Sequence, residues 1–216
     1  MNFLKHIFVI CRFDVVPLRI RAALSLSKCN SYSLLLFCLL ALTSCSENPT
    51  PKPKGYFRID LPEKKYTMYQ SPACPFQFEI PDYAVVENYR DSLAQPCWKY
   101  IQYPRFNAEI FLSYKEVDNN ISTFLEDAHT LAYKHTVKAE SIDETLIGTN
   151  NGVSGIIYDI GGNAASSVQF YATDSTKHFI RGALYFNVSP QPDSLAPVIQ
   201  FLREDIVRMI TSLKFK

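Results

Sequence analysis

The sequence lacks an apolar segment long enough to cross a membrane as a helix, and it lacks an excess of charge of either sign. Its apolar run at residues 34–42 is nine residues long, whereas a spanning helix takes roughly 20. The 22 basic residues are nearly matched by 21 acidic ones. The first absence argues against a transmembrane helix, and the second argues against a nucleic-acid partner.

Histidine is also scarce, with four residues in the chain, and the spacing does not suit a metal ion. His129 and His135 are six apart on one predicted helix, whereas a helical zinc pair is spaced i, i+4. His135 falls on the apolar side of that helix, which favours a position in or near the core. His178 falls in a predicted strand. We therefore predict no metal site and no cofactor.

Glycine is limited to seven residues, and none forms a loop of a known catalytic kind. Gly152-Val153-Ser154-Gly155 lacks the residue order of the nucleophile elbow, Gly-x-Ser-x-Gly. The glycine-rich loop of a dinucleotide-binding unit joins a strand to a helix, and no helix is predicted after Gly161-Gly162-Asn163. A phosphate-binding loop is therefore not predicted. Both sequences favour turns between strands.

The chain does contain the pattern of a bacterial lipoprotein signal, Leu42-Thr43-Ser44-Cys45, at the end of the apolar run. Small residues suit the signal peptidase, and the Cys45 thiol accepts a diacylglycerol chain. A further acyl group on its new amino terminus completes an anchor, because stable attachment needs more than one chain. The alternatives are an ordinary secretory cleavage site or a transmembrane helix. We predict that residues 1–44 are a signal peptide that is removed.

The leader before the apolar run is longer than lipoprotein signals usually are. We expect translation to start after Met1, near Leu24 or Leu26, although the next methionine is Met68 and such a start needs a non-AUG codon. Residues 1–44 hold five of the basic and one of the acidic residues. The mature chain therefore has 17 basic and 20 acidic residues, a net charge of −3.

Residues 45–55 are predicted to form a tether, and residues 56–216 a single globular domain. Pro49, Pro51 and Pro53 alternate with polar residues, which favours an extended polyproline II chain at roughly 3.1 Å per residue. The tether therefore reaches about 30 Å, and it holds the domain close to the bilayer.

The hydrophobic pattern of the domain predicts an α+β fold, with a largely antiparallel sheet and helices packed on it. One helix begins at Asn120, a good N-cap residue, and continues to His135. A long C-terminal helix, with an apolar stripe from Leu195 to Leu213, packs on the sheet. The predicted strands are 56–61, 76–81, 98–103, 108–115, 140–147, 153–160, 167–173 and 178–188.

Cys74 and Cys97 are the cysteines that remain in the mature chain after Cys45 is lipidated. In an oxidising compartment, a disulfide between them is favoured. Each directly precedes a predicted strand, so the register of those strands decides whether they meet. Two buried free thiols are the alternative. A catalytic cysteine is disfavoured, because no histidine lies near either in sequence.

Two further sets of residues are candidates for chemistry. A carboxylate pair for glycoside hydrolysis could come from a set in which nothing selects two members: Asp82, Glu87, Asp91, Glu109 and Glu116. Three short matches resemble the Asp-Ser/Thr-apolar acceptor pattern of O-glycosylation in the Bacteroidetes envelope, at Ser92, Ser175 and Ser194. Ser194 could instead cap the last helix.

Several strings together resemble the gliding motility lipoprotein GldD family of the Bacteroidetes. They are residues 53–62 (PKGYFRIDLP), Cys74-Pro75-Phe76, Cys97-Trp98 and Leu112-Ser113-Tyr114-Lys115, and the resemblance covers residues 45–216. It implies a role in surface gliding and in the type IX secretion machinery that exports adhesins. It implies no enzymatic activity and no catalytic residues. The order of elements is also similar to the PsbP/Mog1 fold, an analogy that carries no function.

We therefore expect a non-enzymatic, lipid-anchored cell-envelope factor that assembles or stabilises partner proteins of gliding and type IX secretion. The outer membrane is favoured over the inner membrane. The alternatives are an enzyme that acts on cell-wall glycans and a protein that binds a small ligand or peptide in an aromatic pocket. Two carboxylates in a deep cleft would favour the enzyme, a closed apolar pocket the binder, and a flat aromatic patch the assembly factor.

Overall fold

The computed structural model of the chain describes residues 58–89, 95–188 and 192–216. Its helices are α1 (Ile121–Tyr133) and α2 (Pro192–Ser212), and 3-10 turns occupy Pro104–Phe106 and Lys134–Val137. The strands are β1 (Tyr66–Gln70), β2 (Phe76–Pro81), β3 (Val85–Asn88), β4 (Lys99–Tyr103), β5 (Ala108–Glu116), β6 (Ala139–Gly148), β7 (Ser154–Gly162), β8 (Ser166–Thr173), β9 (His178–Phe186) and β10 (Lys214–Phe215).

The strands form two antiparallel sheets. The larger sheet has seven strands in the order β3-β4-β5-β9-β8-β7-β6, and the smaller has the order β1-β2-β10. Tight turns join the consecutive pairs β6–β7 and β8–β9, and Gly152 takes a φ of 75° in the first of them. That left-handed conformation suits glycine, which has no Cβ to clash. The α+β prediction is confirmed.

The main core lies between the larger sheet and a layer made of α2 and the smaller sheet. On β5, Ile110 and Leu112 are buried, because alternate side chains of a strand point to the same face. The apolar stripe of α2 meets them: Leu202 and Ile206 are fully buried. The long C-terminal helix predicted from that stripe is therefore confirmed.

The opposite face of the larger sheet is covered in its centre by α1, which packs on β8 and β9. Ala128 and Ala132 are the buried residues of this helix, and their small side chains let the helix approach the sheet closely. Phe124 contacts Phe179 of β9, with ring centroids 5.5 Å apart. Among the described residues, no helix has both the length and the apolarity that crossing a membrane requires.

The structure differs from the predicted elements at the edges of the sheets. Residues 58–61, which belong to the first predicted strand, are not in a strand, and β1, β3 and β10 were not predicted. β1 and β3 lie at sheet edges and are half-buried or exposed throughout, so they have no strong apolar alternation. α1 ends at Tyr133, and His135 lies half-buried in the following 3-10 turn.

Candidate functional site

Four aromatic side chains form a continuous cluster on the α1 side of the larger sheet, beyond the strands on which α1 packs. They are Tyr89, Trp98, Tyr100 and Phe111, and we call them the aromatic patch. Tyr100 on β4 is paired directly with Phe111 on β5, and the Tyr89 N–H donates to the Trp98 carbonyl at 3.2 Å. Neighbouring ring centroids are 4.9–5.8 Å apart, within the range of favourable aromatic pairs. All four side chains are half-buried.

The position of the patch follows from strand alternation. Ile110 and Leu112 point into the main core, so Phe111 between them points to the opposite face. At the sheet edge, Val85 is 48% exposed, and Glu87 is paired with Tyr100 on the next strand. The patch is therefore an apolar surface with an exposed valine and an acidic residue on its β3 side.

A pocket of about 230 Å³ lies between the patch and α1. Trp98, Phe111 and Phe124 line it together with two cationic residues, Lys115 and Arg181. It adjoins an open groove of about 490 Å³, to which Lys115 and Phe124 also contribute. The arrangement offers aromatic walls and positive charge in one place.

A buried polar network attaches α2 to the first described segment of the chain. The Asp205 side chain is fully buried and accepts hydrogen bonds from the hydroxyls of Tyr66 at 2.7 Å and Tyr83 at 2.6 Å. Lys64 Nζ lies 3.1 Å from the same carboxylate and donates to the Phe201 carbonyl at 2.7 Å. Burial, and then the hydrogen bond to Asp205, raise the pKa of both tyrosines well above the ordinary value. Because the carboxylate is enclosed and satisfied, this network is structural.

A second groove, of about 390 Å³, lies between α2 and the β6–β7 hairpin. It contains two carboxylates, Asp143 and Asp159, which are directly opposite each other across the two strands. Arg203 binds both oxygens of Asp159, at 2.6 and 2.7 Å, and Asp143 is exposed. A hydrolase needs one free nucleophile or base and one protonated acid, and Asp159 is instead held in an ion pair that ties α2 to the sheet.

The carboxylates predicted as candidates do not form a catalytic pair among the described residues. Asp91 lies outside the described residues, Asp82 is exposed in the turn before β3, and Glu116 is exposed at the end of β5. Glu87 and Glu109 share the face of the patch, but β4 separates them and their register differs by two residues. Their backbone positions are therefore about 12 Å apart, and no feature of the structure brings their carboxylates together.

Cys74 and Cys97 are joined by a disulfide, with Cα atoms 5.5 Å apart. That separation lies in the normal range for a bridge. Cys74 is buried just before β2, and Cys97 is half-buried just before β4, so the bond links the smaller sheet to the larger. Formation of this disulfide in the purified protein stays a prediction.

The predicted modification sites are distributed over the chain. Cys45 and Ser92 lie outside the described residues. Ser175 is exposed in the β8–β9 turn with a φ of 64°, where Asp174 Oδ1 accepts three backbone N–H bonds of 2.9–3.0 Å. Ser194 is exposed in the first turn of α2. Ser175 and Ser194 are thus accessible, and their glycosylation stays a prediction.

The histidines of the described chain are separated in the fold. His129 stacks on Tyr133, with ring centroids 4.2 Å apart, and His178 Nδ1 lies 2.9 Å from the Tyr114 hydroxyl. His135 is in the 3-10 turn, where burial and then the charge of Arg181 lower its pKa. No group of three metal-ligating side chains is found in the part of the chain that the structure describes.

Sequence analysis did not single out the aromatic patch, Arg181, or the facing Asp143 and Asp159. Two signals were available. Arg181 is the one charged residue inside an otherwise apolar strand, β9. Asp143 and Asp159 are equally far from Asn151, at the centre of the predicted hairpin, so antiparallel pairing places them opposite each other.

Comparison with known proteins identifies one family. The model of the family described as gliding motility lipoprotein GldD matches residues 46–215, which begin directly after Cys45. The solution structure of cyanobacterial PsbP (CyanoP) from Synechocystis sp. PCC 6803 is similar over 77% of this chain and 100% of that one, at 8% identity and a TM-score of 0.43. No curated protein sequence matches the chain.

Proposed function

This chain belongs to the GldD family of gliding motility lipoproteins, and from that premise we propose that it stabilises partner proteins of the type IX secretion machinery through its aromatic patch. Membership of a lipoprotein family places it at the cell envelope with a lipid anchor. The lipidated residue is Cys45 in this proposal, and the membrane is the outer one. The proline-rich tether, with a reach of about 30 Å, then holds the domain close to the bilayer.

The observation that carries the proposal is a cluster of four half-buried aromatic rings on one side of the larger sheet. Tyr and Trp are enriched at the centres of protein interfaces, where a few such residues supply most of the binding energy. Tyr89 and Phe111, with ring centroids 5.0 Å apart, sit at the centre of this cluster. Their half-exposed rings would be fully desolvated by a partner protein.

The charges around the patch indicate the partner's chemistry. Glu87 and Glu109 lie on the same face of the sheet as the patch. A complementary surface would present an apolar centre with basic residues at its rim, because opposite charges steer association and select the partner. We propose that the partner is an envelope protein of this kind.

The test removes the two central rings and leaves the core intact. In cells, a Tyr89→Ser/Phe111→Ser protein should remain membrane-attached but lose gliding and secretion of adhesins. The matched control is Val137→Ser/Leu146→Ser, which removes apolar side chains that are 89% and 80% exposed elsewhere. Normal gliding and secretion in the patch variant would contradict the proposal.

A second variant keeps the test informative if the double substitution destabilises the fold. Val85→Asp adds a charge on the edge strand β3, at a side chain that is 48% exposed. Its melting temperature should match that of the wild type, and its gliding should be impaired. A functional Val85→Asp protein with normal secretion would place the partner on another surface.

The alternative of a glycan-acting enzyme has no supporting observation among the described residues. Asp143 and Asp159 are adjacent, but the Arg203 ion pair engages Asp159. The alternative of a ligand or peptide binder is different, because the pocket under α1 has the features of a binding site.

A further inference from the structure

Arg181 presents a positive charge to the pocket under α1, and no described carboxylate forms an ion pair with it. Arg181 is one of the residues that line the pocket, and its guanidinium donates to Gln169 Oε1 at 2.6 Å. Gln169 is buried, and its Nε2 has no acceptor. This corner of the sheet therefore contains more hydrogen-bond donors than acceptors. A buried arginine is normally paired with an acidic side chain.

The surroundings of Arg181 are also positive. Lys115 lines the same pocket, and its ammonium lies 4.7 Å from the centroid of the Phe124 ring. Burial lowers the pKa of the Arg181 guanidinium, since the charged form is partly removed from water. Asp127 also lines the pocket, but it is exposed on α1. One exposed carboxylate thus faces two cations.

Four aromatic side chains line the pocket, and its volume limits the size of what it can enclose. Trp98, Phe111 and Phe179 line it from the sheet side, and Phe124 lines it from α1. A volume of about 230 Å³ is below that of sites for drug-sized ligands. The adjoining groove of about 490 Å³ runs past Lys115 and Glu116, so an extended chain has room outside the pocket.

We propose that this pocket binds the carboxyl-terminal residue of an extended peptide whose last side chain is aromatic. The terminal carboxylate pairs with the fork of donors on Arg181, as carboxylates commonly do with arginine. The terminal ring packs against Trp98 and Phe111, and the preceding residues lie in the groove. The inference rests on the proposed function and deepens it, because Trp98 and Phe111 belong to both the patch and the pocket.

The single tryptophan of the chain, Trp98, provides a direct readout. Detergent-solubilised mature protein is titrated with N-acetyl-Gly-Gly-Phe, either as the free acid or as the carboxamide. The acid should change Trp98 emission saturably, and the amide should bind at least about tenfold more weakly, because a hydrogen-bonded charge pair is lost. Equal affinity for the two peptides, or no binding of the acid, would overturn the proposal.

Variants test whether Arg181 causes the difference in affinity between the acid and the amide peptide. Arg181→Gln should weaken binding of the acid by about tenfold or more and leave the amide unaffected. Arg208→Gln is the control, because Arg208 pairs with Glu79 of the smaller sheet, away from the pocket. If Arg181→Gln does not fold, the acid–amide comparison on the wild type still decides.

A third probe separates a carboxylate site from a phosphate site. Phenyl phosphate carries the same ring with a different anion, and it should bind more weakly than the acid peptide. Tighter binding of phenyl phosphate would overturn the assignment to a peptide terminus. If no peptide binds but the Tyr89→Ser/Phe111→Ser protein still loses secretion, this inference fails and the proposed function stands.

Discussion

Removal of the Cys74–Cys97 bridge should destabilise the domain by about 3 kcal/mol. The two residues are 23 apart in sequence, so the bond closes a loop of about 24 residues, and the chain-entropy relation gives roughly 3 kcal/mol at 25 °C for that length. For a domain of this size, 1 kcal/mol corresponds to about 2–4 °C in melting temperature. We therefore expect a decrease of about 10 °C for Cys74→Ala/Cys97→Ala.

The assay compares thermal unfolding of the wild type, with and without reductant, and of the double alanine variant. With the Cys45 thiol lipidated, as we propose, alkylation of the oxidised mature protein should label no cysteine, and alkylation after reduction should label two. Reductant should lower the melting temperature of the wild type and leave that of the variant unchanged. Two thiols that alkylate readily in the native, unreduced protein would refute the bond.

Three further predictions concern the anchor, the main core and the buried network. Cys45→Ser protein should leave the membrane fraction, because the proposed site of lipid attachment is lost; retention after a high-salt wash would locate the anchor elsewhere. Leu202→Asp should abolish the folded domain, since it buries an unpaired carboxylate at a cost of several kcal/mol; an unchanged melting temperature would contradict the packing of α2. The raised pKa values of Tyr66 and Tyr83 favour their neutral forms in the folded state, so their contribution to stability is complete below about pH 10 and is lost above it. The free energy of unfolding of Tyr66→Phe/Tyr83→Phe protein should accordingly fall less between pH 9 and 11 than that of the wild type. Identical pH profiles of the two proteins would show that these tyrosines do not cause the loss of stability at high pH.

The central elements of the fold could be predicted because their sequences carry the period of their structure. The α2 stripe repeats every three to four residues, and Ile110 and Leu112 alternate with outward residues on β5. The edge strands could not be predicted in the same way. β1 has one partner strand and little buried surface, so its side chains are not selected for alternation, and its pairing with β2 depends on a register that is set by the rest of the chain.

The candidate site was less predictable than the fold, because it is created by pairing between distant segments. Phe111 and Arg181 are 70 residues apart in sequence, yet β5 and β9 are neighbours in the sheet. Local pattern shows that each side chain points away from the main core, but it does not show which strands are adjacent. The hairpin signal at Asn151, by contrast, contains enough information to place Asp143 opposite Asp159, although the sequence analysis did not draw that inference.

The dimensions of the larger sheet explain why an open surface exists and why its chemistry is informative. Seven strands, about 4.8 Å apart, make a face roughly 30 Å wide, and a helix about 10 Å across covers only two or three of them. α1 covers the centre, so strands on both sides of it are open. On β6 the same face carries Glu144, which accepts a hydrogen bond from the Tyr133 hydroxyl of α1 at 3.0 Å, and Leu146, which is 80% exposed. On β4 and β5 the equivalent surface instead carries Tyr100 and Phe111. A single exposed leucine is common on protein surfaces, whereas four rings in mutual contact form a continuous apolar patch, and this difference is the basis for proposing the aromatic side as the contact surface.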